Sequence, residues 1–360
     1  MKKYCFYLFF LSLSFSTFSQ KVIPFVDFNF YFQNFQNGAF SIIDFQRIRD
    51  VKAGDDCVAY YDNKSNLVVY NGTEKKNLAN LNVDFQVSDH LVGWKIVNTI
   101  NMWDDGKLRT LSFNGIDYSV KDSIIVYSDS RYNSVNVYWK GEVYPLYTVV
   151  DEIYMPTFIG ENIVAFKDNG NFYKIFWNGQ IYDIGVWNGD ITFNGGTDLL
   201  AFNDPTTRSF TVFDKGEFIE VESYFMNKYK TGRGIVVYED LNGNLNLYKK
   251  ASKKQISNFS ASMWEVKDEV VLWQENNFLK TVYLGEVKTI CNFMPKDYLI
   301  KNDVIAYRNI MGGVSSFVNG INTEISNQMN AEYEIYGSSV LVKLFNSSFI
   351  VFQNGMKYYK

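Results

Sequence analysis

Residues 162–185 read NIVAFKDNGNFYKIFWNGQIYDIG. An apolar burst is followed by a polar turn, a second apolar run, Asn178-Gly179, and a third run in which polar and apolar positions alternate. The same order recurs along nearly the whole chain. The glycine after the second run stands at Gly38, Gly72, Gly106, Gly141, Gly179, Gly216, Gly285, Gly320 and Gly355. Successive members lie 34 to 38 residues apart, except for one step of 69 that spans two periods. The skipped position falls near Ala251. The first burst keeps the same phase, and its third letter is Ala59, Gly93, Val126, Ala165, Ala201, Val237, Leu272, Ala306 and Val342. An aromatic follows in eight of these nine units, from Tyr60 and Trp94 to Trp273 and Tyr307. Two features sharing a period near 35 residues define ten structural repeats, and repeats of this length build propellers or solenoids.

Each unit predicts four short strands. The second is the continuous burst, which suits a strand buried on both faces. The third ends at Asn-Gly or Lys-Gly, where a tight hairpin needs two residues at positive φ. The fourth alternates like a half-exposed strand. Four antiparallel strands per unit, repeated in series, predict an all-β fold, a β-propeller of about nine or ten short blades. Two fused five-bladed rings are the alternative, and a β-solenoid fits the hairpins less well. The first unit reads as lacking its first strand, which suggests that the two ends of the array meet.

Composition adds a location and removes some functions. Lys2 and Lys3 precede the apolar stretch YCFYLFFLSLSFSTF, with Ser16 and Ser19 before Gln20. This is the grammar of a cleavable signal peptide over residues 1–20, leaving 21–360 as the propeller and placing it in the periplasm or outside the cell. About 15 apolar residues are short for a bilayer span, and no later stretch could cross one. Charged residues are 21% of the chain and the net charge is −4, which gives nucleic-acid binding no basic patch. Beyond Cys5, the two cysteines Cys57 and Cys291 occupy different repeat positions and read as two separate buried thiols. With one histidine, His90, they cannot form a standard structural zinc site.

The candidate chemistry is sparse. Asp62, Asp129, Asp168, Asp204 and Asp240 follow the second strand, and turn chemistry accounts for them, since Asp bonds its own backbone two residues on. A second set, Asp56, Asp89, Asp122, Glu161, Asp198, Asp268 and Asp303, precedes the burst on the opposite face and reads the same way. An acidic ring for a cation or a basic partner is the functional alternative. DLNGN at 240–244 lacks the further ligands of a calcium loop. No base stands beside a Ser or Cys nucleophile in any recognisable motif, so no catalytic residue, metal or cofactor is assigned. Trp187 and Trp264 fall outside the repeat scheme near the entry to a first strand. With Asp190 they form the candidate ligand site, an aromatic platform for a sugar, with packing between blades as the structural alternative. YKKASKKQ at 248–255 is the one basic cluster, read as a solvated hairpin tip.

The unit at 163–185 resembles the WD-like propeller repeat of TolB-type periplasmic proteins through Ala165, Phe166, Asp168, Gly170, Ile175 and Gly179. The resemblance covers the blade pattern only. It lacks that family's SPDG turn and separate N-terminal domain, and it implies a fold rather than a function. The Asn, Lys, Ile, Phe and Tyr bias and the leader ending FSQ resemble secreted Bacteroidetes proteins. These features together predict a non-enzymatic scaffold that binds a protein or a glycan, with a lectin-like or carbohydrate-active propeller using a carboxylate pair as the alternative.

Overall fold

The structure, a computed structural model, describes residues 22–150 and 152–360. The predicted signal segment and Cys5 lie outside the described residues. Thirty-nine strands and no helix occur among the described residues. They form ten antiparallel sheets. The blades span 23–44, 49–79, 85–112, 115–148, 158–186, 193–222, 229–255, 263–291, 298–326 and 332–359. Nine have four strands in chain order, and blade 1 has three: β1 (Ile23–Val26), β2 (Phe32–Gln36) and β3 (Ala39–Asp44). Blade 2 opens with β4 (Arg49–Ala53).

The second strands are the predicted bursts, and Val58–Tyr61 is buried at all four positions. The outermost strands are wet, as at Ser252–Gln255, where every residue is exposed. Alternation along the burst explains the ring. Side chains of a strand point to opposite faces in turn. The first and third residues therefore meet the next blade, and the second and fourth meet the preceding one. Ile163 and Ala165 of blade 5 pack with Leu200 and Phe202 of blade 6, and Leu199 and Ala201 of blade 6 pack with Val236 and Tyr238 of blade 7. A small third residue facing a neighbour's aromatic lets flat sheets stand close. Ten such cores link successive blades, and the tenth joins Ile23 and Phe25 of blade 1 to Leu341, Phe349 and Val351 of blade 10. Their unbroken sequence makes one ring of ten, and two fused five-bladed rings are not needed.

Two details differ from the sequence reading. In blade 10 the third position is Leu341, not Val342, because Val340 pairs with Phe352 as Ile305 pairs with Phe317. Val342 thus fills the position that holds an aromatic in the other eight bursts, and blade 10 remains the one exception in the pattern. Cys57 is buried, whereas Cys291 is only half-buried; neither forms a disulfide.

The hairpins between third and outer strands keep one geometry. Asn178 and Gly179 have φ of 50° and 74°, as a two-residue primed turn requires. At the skipped glycine the turn survives without it: Lys250 and Ala251 hold φ of 50° and 57°. Alanine is strained there, since its Cβ crowds the carbonyl in the left-handed region. Ala251→Gly should relieve the strain and raise stability by about 0.5–1 kcal/mol, measured as a higher urea midpoint. An unchanged or lower midpoint would contradict the strain argument.

Candidate functional site

Each blade carries two kinds of surface. Hairpins between inner and second strands open on one side, here the turn face. The blade-to-blade connections and the hairpins after the second strand open on the other, the connection face. On the connection face the recurring aspartates do close their own turns. Asp62 Oδ1 accepts the N–H groups of Lys64 and Asn66, both at 2.8 Å. Asp168 Oδ1 accepts those of Gly170 and Phe172, and Asp240 Oδ1 those of Asn242 and Asn244.

The carboxylates of the turn face behave differently. Each inner hairpin has two residues at its tip, as the pairing of Lys267 with Val270 or Lys301 with Val304 shows. The first tip residue, from blade 2 to blade 10, is Asp55, Asp89, Asp122, Glu161, Thr197, Arg233, Asp268, Asn302 and Gly337. Ten wedges converging on an axis force these tips together. A Cβ on Gly54 would stand 1.9 Å from the Ser88 carbonyl oxygen, and one on Gly196 2.1 Å from that of Gly232.

Bonds therefore run from tip to tip rather than within a turn. The Asp56 N–H donates to the Asp89 carbonyl at 2.8 Å and the Arg233 N–H to the Asp268 carbonyl at 2.6 Å. The Ser88 hydroxyl donates to the Asp122 carbonyl at 2.9 Å. Asp198 N–H meets Asn162 Oδ1 at 2.9 Å, and Asn302 N–H meets Asp268 Oδ2 at 2.6 Å. The belt closes from blade 9 to blade 2. Lys301 Nζ lies 2.8 Å from Asp55 Oδ1, and Asn302 Nδ2 lies 3.1 Å from Asp55 Oδ2. Arg233 reaches inward to Asn302 Oδ1 at 3.3 Å. A cavity of about 490 Å³ opens here, lined by Asp55, Asp89, Asp122, Arg233 and Asn302 among others.

Crowding sets the protonation. Burial pushes the Asp89 carboxyl up to about 8, helped by its hydrogen bond with Asp122 and the charges of Asp55 and Asp122. Burial also raises Glu161, together with the charge of Asp268. Burial alone would raise Asp55, but the Lys301 charge and the bonds from Lys301, Asn302 and the Gly337 backbone hold it below its usual range. Asp89 thus holds its proton, in hydrogen-bond contact with the Asp122 side chain. Two carboxyls in hydrogen-bond contact stand closer than the roughly 5 Å or more that glycosidase pairs use. Among the described residues no three His, Cys, Asp or Glu groups are arranged to hold a metal ion.

The aromatic candidates lie on the connection face, between blades 6, 7 and 8. Trp187 and Asp190 line a depression of about 230 Å³. Trp264 lines an adjoining groove of about 770 Å³. The two share Thr192, Asn203 and Tyr229. Trp187 is 42% exposed, and Phe225 beside it is also exposed. Lys230 Nζ stands 4.8 Å from the Trp264 ring centre and 2.8 Å from its carbonyl oxygen. Asn203 bonds both the N–H and the carbonyl of Met226 at 2.9 Å, which fixes the connection that forms the groove wall. The third tryptophan outside the scheme, Trp103, is buried between blades 2 and 3. His90 lies beside Asp104, 3.9 Å away.

Sequence reasoning named most belt carboxylates but assigned them to their own turns, and it passed over Asp55, Arg233 and Lys301. The one local signal was position: Arg233 stands between two glycines where most blades place an acid or an amide.

A family model for the 10-bladed beta propeller domain matches residues 16–358. Among solved structures, 672 chains match. The computationally designed Ika8 protein is 15% identical over 74% of this chain and 94% of that chain, with a TM-score of 0.35. Hsv2 of Kluyvelomyces marxianus is 10% identical over 67% and 96%, with a TM-score of 0.31. A eukaryotic initiation factor is 9% identical over 85% and 96%, with a TM-score of 0.46. No curated protein matches.

Two measurements check the belt. The folded chain keeps a proton on Asp89 that the unfolded chain loses above roughly pH 4. Stability therefore falls as pH rises from there to about 8 and then levels off. Between pH 5 and 8 the melting temperature of the wild type should drop relative to Asp89→Asn by about 2–4 °C; parallel curves would refute the assignment. Asp55→Ala removes the closing link and leaves Lys301 without its anion. It should cost on the order of 1–3 kcal/mol in urea unfolding.

Proposed function

Because the chain belongs to the family of 10-bladed beta propeller domains, we propose that it is a non-enzymatic binding scaffold that holds a glycan in the groove between blades 6, 7 and 8. One observation carries this reading: Trp187 and Trp264, two of the three tryptophans outside the repeat scheme, line adjoining depressions whose rims are polar. Sugar rings offer apolar faces for indoles and hydroxyls for amides, carboxylates and ammonium groups. The groove supplies both. Asn194, Asn203 and Asn227 stand with Lys228, Lys230 and Glu239 around Trp264. A concave site with aromatic walls and few convergent polar groups is the general form of a small-ligand site.

The location is part of the proposal. The leader-like sequence at 1–20 and the blade wording resembling TolB-type periplasmic proteins support export to the periplasm or the cell exterior. No helix among the described residues is long and apolar enough to cross a membrane.

The fold also favours binding over catalysis. The belt carboxyls are committed to one another and to Lys301, Arg233 and Asn302, so they serve the ring before any substrate. The groove, by contrast, is built on connections that carry no ring closure.

A glycan array followed by titration calorimetry tests the reading. Trp264→Ala should weaken the best glycan at least about tenfold, equivalent to about 1.4 kcal/mol, and Trp187→Ala should weaken longer glycans more than short ones. Val97→Ala, at an exposed turn far from the groove, should change nothing. Undiminished binding by a chain lacking both tryptophans would refute the proposal.

A further inference from the structure

Among the described residues blade 1 departs from the four-strand rule. β1 carries the same burst as the second strands, with Ile23 and Phe25 facing blade 10 and Val22 in the core with Val58 and Tyr60 of blade 2. The described strands of blade 1 are therefore its second, third and outer ones. Among the described residues β1 pairs on one side only, with β2. A cavity of about 430 Å³ lies along its other side. Its walls are β4, through Val51 and Ala53, and the inner strand Glu332–Tyr336 of blade 10. Its floor is apolar, with Phe25, Phe32, Leu341 and Phe349.

The cavity has the shape and chemistry of a strand site. In an antiparallel pair, polar main-chain groups point alternately toward the partner strand and away. Asp27 N–H bonds the Tyr31 carbonyl, so Phe25 also faces β2, while Pro24 and Val26 turn their main-chain groups to the cavity. Pro24 has no N–H and offers only its carbonyl; Val26 offers both groups. Val26 is 38% exposed, whereas Tyr61, at the same position of blade 2 and covered by an inner strand, is 2% exposed. The rim is acidic. Glu332 and Glu334 meet one ammonium there, that of Lys343, 3.3 Å from Glu332, and the Tyr336 hydroxyl donates to Glu334.

We propose that this cavity docks an extended segment of a partner protein, which pairs antiparallel with β1 as the inner strand of blade 1. The segment is apolar at the positions facing Phe25 and Leu341 and carries a lysine or arginine toward Glu332 and Glu334. Strand addition of this kind draws affinity from main-chain bonds and specificity from alternate side chains. It is independent of glycan binding, because the groove lies between blades 6 and 8.

The probe is a fluorescein-labelled octapeptide of alternating valine and threonine with one central lysine. The protein is the secreted form, its first residue fixed by mass spectrometry. Saturable anisotropy is expected. Val26→Pro, which deletes the outward N–H, and Val51→Arg, which fills the cavity from an exposed position, should each weaken binding at least about tenfold. Both variants should keep the wild-type melting curve and glycan affinity. Glu334→Gln should erase the advantage of the lysine peptide over one with threonine in its place. The proposal fails if no saturable binding occurs, if binding survives both substitutions, or if cross-linking finds the chain's own N-terminal residues in the cavity.

Discussion

Everything in this ring depends on one constraint: each second strand must bury both of its faces, and only neighbouring blades can cover them. A blade alone would leave Ala165 and Phe166 on open surfaces. Between neighbours, each interface takes the odd side chains of one burst and the even side chains of the next. The strength of the ring is thus a sum of similar nearest-neighbour terms, as in other repeat proteins. Because these terms pack alternate residues of one burst against alternate residues of the next, the blades stand at nearly constant spacing, and the ring size follows from how many are joined.

The crowding on the turn face is a consequence of that spacing rather than a separate device. Wedges packed at their middles must converge at their inner tips. Glycines such as Gly54 and Gly196 permit main chains to touch, and carboxylates at the tips are pushed into one another. Asp89 keeps a proton for this reason. The charges that do remain are offset by Arg233 and Lys301, which reach across blades rather than along them. The connection face escapes this pressure. Its loops vary in length and wording, and that is where Trp187 stands exposed and Trp264 half-buried at the edge of the core between blades 7 and 8.

The fold was legible because its signals are local. A burst of four apolar residues, an Asx turn and an Asn-Gly hairpin each act within a few residues, and repetition multiplies them. Asp62 and Asp168 were readable for the same reason, since their partners lie two and four residues on. Asp55 was not, because its partners are Lys301 and Asn302, which nothing in the spacing connects to it. Val342 was misplaced by one position because blade 10 has no aromatic to mark its phase. The pairing of Trp187 and Trp264 in adjoining depressions needed two connections to be brought side by side, which the period alone does not do.

A ring of ten near-identical wedges is close to a wheel without markings. A rigid partner resting on it could settle at any of ten azimuths with similar energy, and choosing one would cost up to RT ln 10, about 1.4 kcal/mol. Blade 1, three-stranded among the described residues, removes that degeneracy. It is a single notch on the rim of the axial opening, next to the point where Lys301 and Asn302 reach past two blades to Asp55. Any assembly that keys to the notch inherits a defined angular origin, so the aromatic groove several blades away is presented at one fixed bearing.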